Sequence, residues 1–228
     1  SGKKMFTLRN FGNSTASRGY AMFRSDPEVC EWIDKIPENS NFLDVGANVG
    51  VYSLYAAHLK NTVVSLEPES LNFACLNLNI SDNNFNDKIF SYPFCANDTV
   101  KISDLNISRL RFGGSGHTFD RTIMEDGKSF IPSHKQGSIS VRLDDFLKEI
   151  KFIPNFIKID VDGNELNTIN GMTDSLTDKN LRSICIELDP EFHEHKKVID
   201  ILNNSGFTKC RKYTWYEGQT IFNYVFDR

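Results

Sequence analysis

Apolar positions along this chain come in short bursts, and most of them alternate with stretches of helical spacing. "NFLDVG" (41–46), "TVVSLEPES" (62–70), "KIFSYPFCAND" (88–98), "FIKIDVDG" (156–163) and "LRSICIELD" (181–189) read as five strands. Residues 49–60 form a helix with hardly any polar face. Leu71, Cys75 and Leu78 share one face of a second helix, and Leu143, Phe146, Leu147 and Ile150 share one face of a third within "VRLDDFLKEIK". "EHKKVIDILNNSGF" is a helix closed by Gly206. "KCRKYTWY" and "TIFNYVFDR", separated by Glu217-Gly218-Gln219, predict a terminal antiparallel hairpin. Strands alternating with helices predict an α/β fold, a doubly wound and mostly parallel sheet.

The pattern weakens in two places. Residues 1–40 read as a helical cover. Residues 97–137 lack strong periodicity and are too long for a simple connection, so they are expected to form an insertion that binds the acceptor over the active face. The chain has 228 residues, which suits one domain.

Composition narrows the function classes. Net charge is −4 and no Lys/Arg run stands out, so no nucleic-acid partner is expected. No apolar run approaches the ~20 residues of a membrane helix. Five scattered cysteines without a CxxC pair point to buried thiols in a reducing, cytoplasmic compartment. The Asn-x-Ser/Thr triplets at Asn13 and Asn106 then carry no glycan. No signal peptide is read. The start "SGKKM", with its first Met at position 5, points to a piece of a longer protein.

The chemistry begins at "FLDVGANVGVYSLYAA", a strand turning through Gly46 and Gly50 into a helix. A ligand is expected at that helix N-terminus. A dinucleotide loop would need glycine where Asn48 stands, because the backbone must touch a pyrophosphate there. No Gly-Lys-Ser/Thr loop occurs either. The loop therefore suits an adenosyl ligand without phosphates. Glu67 ends the second strand about 20 residues past the loop, where an acid can accept both ribose hydroxyls. Asp44, at the first strand's end, can face a cationic ligand group.

These stretches, with "VVSLEPES", "LNLNI" and "IKIDVDGNELNTINGM", resemble the FkbM family of S-adenosylmethionine-dependent methyltransferases from about residue 40 to about 190. The family usually has Glu where this chain has Asp162. The resemblance implies a Rossmann-like class I methyltransferase fold and methyl transfer to a hydroxyl oxygen, on the sugars of glycans or on natural products. It implies that Asp44, Gly46, Ala47, Asn48, Gly50, Tyr52 and Ser53 hold the methionine end of S-adenosylmethionine. Glu67 and Pro68 would hold the ribose, and Ala96 and Asn97 the adenine. Leu71 and Asn79 are weaker members of the set.

Sugar hydroxyls are poor nucleophiles and need a base or a metal. Asp160 ends the fourth strand, and Glu187 and Asp189 end the fifth. If all three converge, they are candidate ligands for Mg²⁺ or Mn²⁺. Without a metal, Asp160 or His117, in the glycine-rich "RFGGSGHTF", would take the proton directly. Asp162 and Glu165 are read as acids at a helix start, Glu165 with a catalytic alternative. His193 and His195 read as surface residues, and Lys158 either reaches the pocket or runs out to solvent. The expected partner is a sugar or glycan acceptor, with fusion to or association with glycan-assembly enzymes. Two other classes remain open here: an NAD-dependent oxidoreductase, and an inactive binding module.

Overall fold

The computed structural model describes residues 5–24, 26–124, 126–213 and 220–228. β1 (Asn41–Val45) lies at the centre of a seven-stranded sheet. β2 (Thr62–Leu66) and β3 (Ile89–Tyr92) extend it on one side. β8 (Phe156–Ile159), β9 (Ser183–Leu188), β11 (Phe222–Asp227) and β10 (Lys209–Lys212) follow in that order on the other. All neighbours pair in parallel except β11, which runs antiparallel between β9 and β10. The predicted terminal hairpin is thus present. Its expected turn, Glu217-Gly218-Gln219, lies outside the described residues.

The strands are apolar on both faces because both are covered. Phe42, Val63, Phe156, Cys185 and Val225 pack with α2 (Pro27–Ile33), α3 (Val51–His58) and α4 (Ser70–Asp82). Leu43, Val45, Val64, Ile157, Ile159 and Ile186 pack with α5 (Leu143–Glu149), α6 (Glu165–Asn170) and α7 (His193–Asn204). Alternate residues of one strand therefore feed opposite cores. The chain winds outward from β1 to β3 and returns at β8. The crevice at the carboxyl ends of β1 and β8 is the place where such sheets bind ligands.

The bounds of one strand and one helix are corrected. "KIFSYPFCAND" is two strands, because Pro93 has no N–H to donate to a ladder. β3 stays in the main sheet. β4 (Cys95–Asn97) joins a second sheet, order β4-β7-β5-β6. Residues 97–137, expected as an insertion, include regular elements: β5 (Lys101–Ile107), β6 (His117–Phe119) and the start of β7 (His134–Arg142) lie there. Val141 and Arg142, read as helical, close β7, and α5 starts at Leu143. The second sheet has its own small core of Cys95, Leu105, Ile107 and Phe119. The N-terminal cover holds α1 (Asn13–Arg24) and α2. Cys30, Cys75, Cys95 and Cys185 are buried as expected, whereas Cys210 is exposed. No helix among the described residues is long and apolar enough to cross a membrane.

Candidate active site

The glycine loop is shaped by close approaches. Gly46 has φ +85°, and a Cβ there would overlap the carbonyl oxygen of Asp160. Only glycine lets β1 turn this tightly against the end of β8. The Gly46 and Ala47 amides both donate to the Leu66 carbonyl at 2.9 Å, which fixes the loop to β2. Asn48, at φ 51°, donates its backbone N–H to Glu67 Oε2 at 2.8 Å and its side-chain amide to the Gly114 carbonyl at 2.6 Å.

A cleft of about 1110 Å³, counting the open solvent at its mouth, runs over the loop. It crosses the ends of β2, β1, β8, β9 and β11 through Glu67, Gly46, Asp160, Glu187 and Asn223. Phe94, Ala96, Leu105 and Phe119 make one end apolar. At the other end stand Asp26, Asp160, Glu187 and Asn223, with Tyr52 donating to Asp26 Oδ2 at 3.1 Å.

Glu67 is buried, and its carboxylate takes N–H bonds from Asn48 and from Glu69, each at 2.8 Å. Burial still outweighs those bonds and pushes it up to about 7. Lys158 is only 3% exposed and donates to Asp160 Oδ2 at 3.0 Å, with its ammonium 4.8 Å from the centre of the Tyr52 ring. Burial alone would lower it, but the charges of Asp160 and Asp44 outweigh burial and hold it raised. Lys158 thus reaches the pocket floor. Burial works against the Asp160 charge as well, yet Lys158 keeps that carboxyl below its ordinary value. Glu187 goes the other way: burial and then the Asp160 charge push it well up. Two neighbouring carboxyls are therefore pushed in opposite directions.

Asp162, at φ 51°, is not a helix cap. Its Oδ2 accepts the N–H of Gly116 at 2.8 Å and that of His117 at 3.3 Å, holding the 113–117 loop over the cleft. Burial and Asp160 push it up to about 7. His117 Nδ1 accepts the Ser108 N–H at 3.3 Å, and Nε2 is buried without a hydrogen-bond partner among the described residues. Burial and then Arg18 lower it to about 4, so the ring is neutral at neutral pH.

Of the residues named for the cofactor, Gly46, Asn48, Tyr52, Glu67, Pro68 and Ala96 line the cleft. The remainder stand elsewhere. Asp44 is fully buried behind the wall, accepts from Ser53 Oγ at 2.6 Å and is raised by burial; Ser53 continues to Ser65 at 2.8 Å. Gly50 and Ala47 shape the loop without facing the cleft. Leu71 stands in the first turn of α4, where its N–H bonds Glu69 Oε1 at 3.0 Å. Asn97 turns toward Ser140 Oγ at 3.4 Å, and Asn79 ties Val49 O to the Arg9 N–H at 2.8 Å each.

The three-carboxylate metal reading is also corrected. Asp160 and Glu187 face the cleft, but Asp189 does not. Its N–H goes to His195 Nδ1 and its Oδ1 accepts the Glu191 N–H, both at 2.8 Å. Among the described residues no three His, Cys, Asp or Glu side chains are grouped to hold an ion. Lys158 supplies the positive charge beside Asp160 instead. His195, read as a surface residue, is 1% exposed and meets Glu165 at 3.0 Å; Glu165 Oε1 accepts the Gly163 N–H at 3.1 Å. Both bonds are structural. Sequence reasoning missed Arg18, Asp26, Asn72, Asn164 and Asn223, which line the cleft from elements without a local motif.

With the cleft in view, the comparisons with known proteins can be read. The Methyltransferase FkbM domain matches residues 44–209. This chain belongs to the FkbM methyltransferase family. Methyltransferase 1 of Beauveria bassiana is 20% identical over 199 residues, 79% of this chain and 77% of the relative. The FkbM methyltransferase of Methylobacillus flagellatus KT has a TM-score of 0.55 at 16% identity, covering 82% of this chain and 43% of that longer one. The N-terminal domain of human METTL16, solved in complex with SAH, has a TM-score of 0.50 at 14% identity over 97% of this chain and 75% of that one. At such identities the likeness speaks for the fold, that of S-adenosylmethionine-dependent class I methyltransferases. The strand order and the antiparallel β11 of this FkbM chain are that fold.

Proposed function

We propose that this FkbM chain is an S-adenosylmethionine-dependent O-methyltransferase whose acceptor is a sugar hydroxyl, in a glycan or a free sugar. The observation that carries the reading is the β8–β9–β11 end of the cleft. Asp26, Asp160, Glu187 and Asn223 offer several hydrogen-bond acceptors and donors in one small space, the chemistry that holds a polyhydroxylated ring.

The residues present fit the cofactor. Each Glu67 oxygen holds one backbone N–H, and a carboxylate has about four lone-pair sites, so both can still accept ribose hydroxyls. Phe94, Ala96, Leu105 and Phe119 suit a flat, apolar base. The carboxyls around Gly46 suit a cationic amino-acid end and would repel a pyrophosphate, which speaks against NAD. When bound, the cofactor supplies a methyl group already activated by its sulfonium.

The chain's task is then to orient the hydroxyl and remove its proton. Asp160 is the base in this reading, kept ionised by Lys158. Glu187, whose carboxyl burial and Asp160 push upward, stands beside it to position the acceptor. Asp160→Asn should bind S-adenosylhomocysteine as the wild type does and lose about 10²–10⁴-fold in transfer of labelled methyl to a sugar panel. Retained activity in Asp160→Asn, with loss in His117→Gln, would move the base to His117. Full activity of both variants would overturn the site.

A further inference from the structure

Arg18 stands on α1, outside the family-matched residues 44–209, and yet lines the cleft. Its placement is built. Gly113, at φ +73°, lets α1 come so close that an added Cβ would sit 3.0 Å from Ser14 C and Thr15 N. Arg18 Nε donates to the Gly113 carbonyl at 3.2 Å. Phe11 stacks on Phe112 at 4.4 Å, and Arg9 pairs with Asp82 on α4. These contacts pin the helix beside the mouth. The Gly113 N–H in turn bonds Asn72 Oδ1 at 2.8 Å, and the Gly114 carbonyl is shared by Asn48 and Asn72. Arg18 is thus tied to the nucleotide loop itself.

The charge inventory gives this guanidinium its task. The cleft wall carries Asp26, Glu67, Asp160, Asp162 and Glu187. Its cations are Lys158 and Arg18, since His117 is neutral. Lys158 is committed to Asp160, whereas Arg18 makes no ion pair among the described residues. A ligand that ends in both an ammonium and a carboxylate finds many partners for the first group. For the second it finds one free fork of donors, and a guanidinium matches a carboxylate in geometry as well as charge.

We propose that Arg18 binds the carboxylate of the cofactor's methionine moiety, which makes the N-terminal helix a working part of the cofactor site. This rests on the S-adenosyl reading of the cleft. The cavity, the ties to Gly113 and the pairing of the other cation carry it.

The test compares two probes by calorimetry: S-adenosylhomocysteine, and its decarboxylated analogue, which keeps the ammonium and lacks only the carboxylate. Arg18→Ala should weaken S-adenosylhomocysteine by about 10- to 100-fold, the range of a charged hydrogen bond. It should leave the decarboxylated analogue unchanged, which also shows that the variant is folded. Arg18→Lys should restore part of the loss. Equal loss for both probes would overturn the assignment in favour of a structural role. No loss for either would overturn it by removing Arg18 from the cofactor. Wild-type protein that binds neither probe would instead overturn the cofactor reading beneath it.

Discussion

Glu67 shows how much one residue can couple. It holds the Asn48 and Glu69 amides at the edge of the cleft, and its burial makes it a proton sink. Its ordinary value of 4.5 rises to about 7 in the folded chain. Above 4.5 the unfolded chain has released this proton and the folded chain has kept it. The contribution to stability is therefore complete below 4.5 and is lost as pH rises to about 7. Glu67→Gln stays neutral throughout. Thermal unfolding should show the variant gaining on the wild type by about 2 kcal/mol between about pH 5 and pH 8. A difference independent of pH would mean that the carboxyl is ionised in the native state. Gly46, Glu67 and Asp160, which line the cleft, were legible in the sequence because each closes a strand or a turn at fixed spacing. Arg18, Asp26 and Asn223 were not. Their roles arise from where α1, α2 and β11 come to rest, and no local pattern encodes that.

At the scale of elements, long apolar strands and helices of 3.6 period were readable, while the second sheet was not. β5 buries its last three residues but leaves Ile102 80% exposed, so the alternation that marks a half-buried strand is broken. β6 is too short to announce itself. Pro93 could have flagged the break between β3 and β4. The 113–117 loop depends on this sheet at one side and on Asp162 at the other. Asp162→Ala removes the acceptor of two backbone N–H groups and leaves alanine at φ 51°, a cost of about 1–2 kcal/mol. Hydrogen exchange at Gly116 and His117 should accelerate about tenfold or more in that variant. Asp162→Asn keeps an acceptor oxygen and a residue type that tolerates positive φ, so its exchange should match the wild type. Equal acceleration in both would assign the effect to charge rather than to the clamp.

The molecule as a whole follows the doubly wound plan that its strand and helix alternation predicts, with the cleft at the β1–β8 reversal. The three-carboxylate set does not assemble at this scale. Chain order places Asp189 two residues beyond Glu187, but strand period 2 does not continue past the end of β9, and the backbone there turns Asp189 toward α7. Transfer activity is therefore expected to be unchanged by EDTA. Loss in EDTA with recovery in Mg²⁺ would show that an ion enters by another set of ligands. Lys158 gives this expectation its physical content. A cation bonded into a strand cannot be dialysed away, outcompeted or stripped by a chelator, and its local concentration is the same in every medium. The spacing of the carboxylates around it is decided once, when the sheet closes. The protein thereby carries an inner salt of fixed composition at the floor of its cleft.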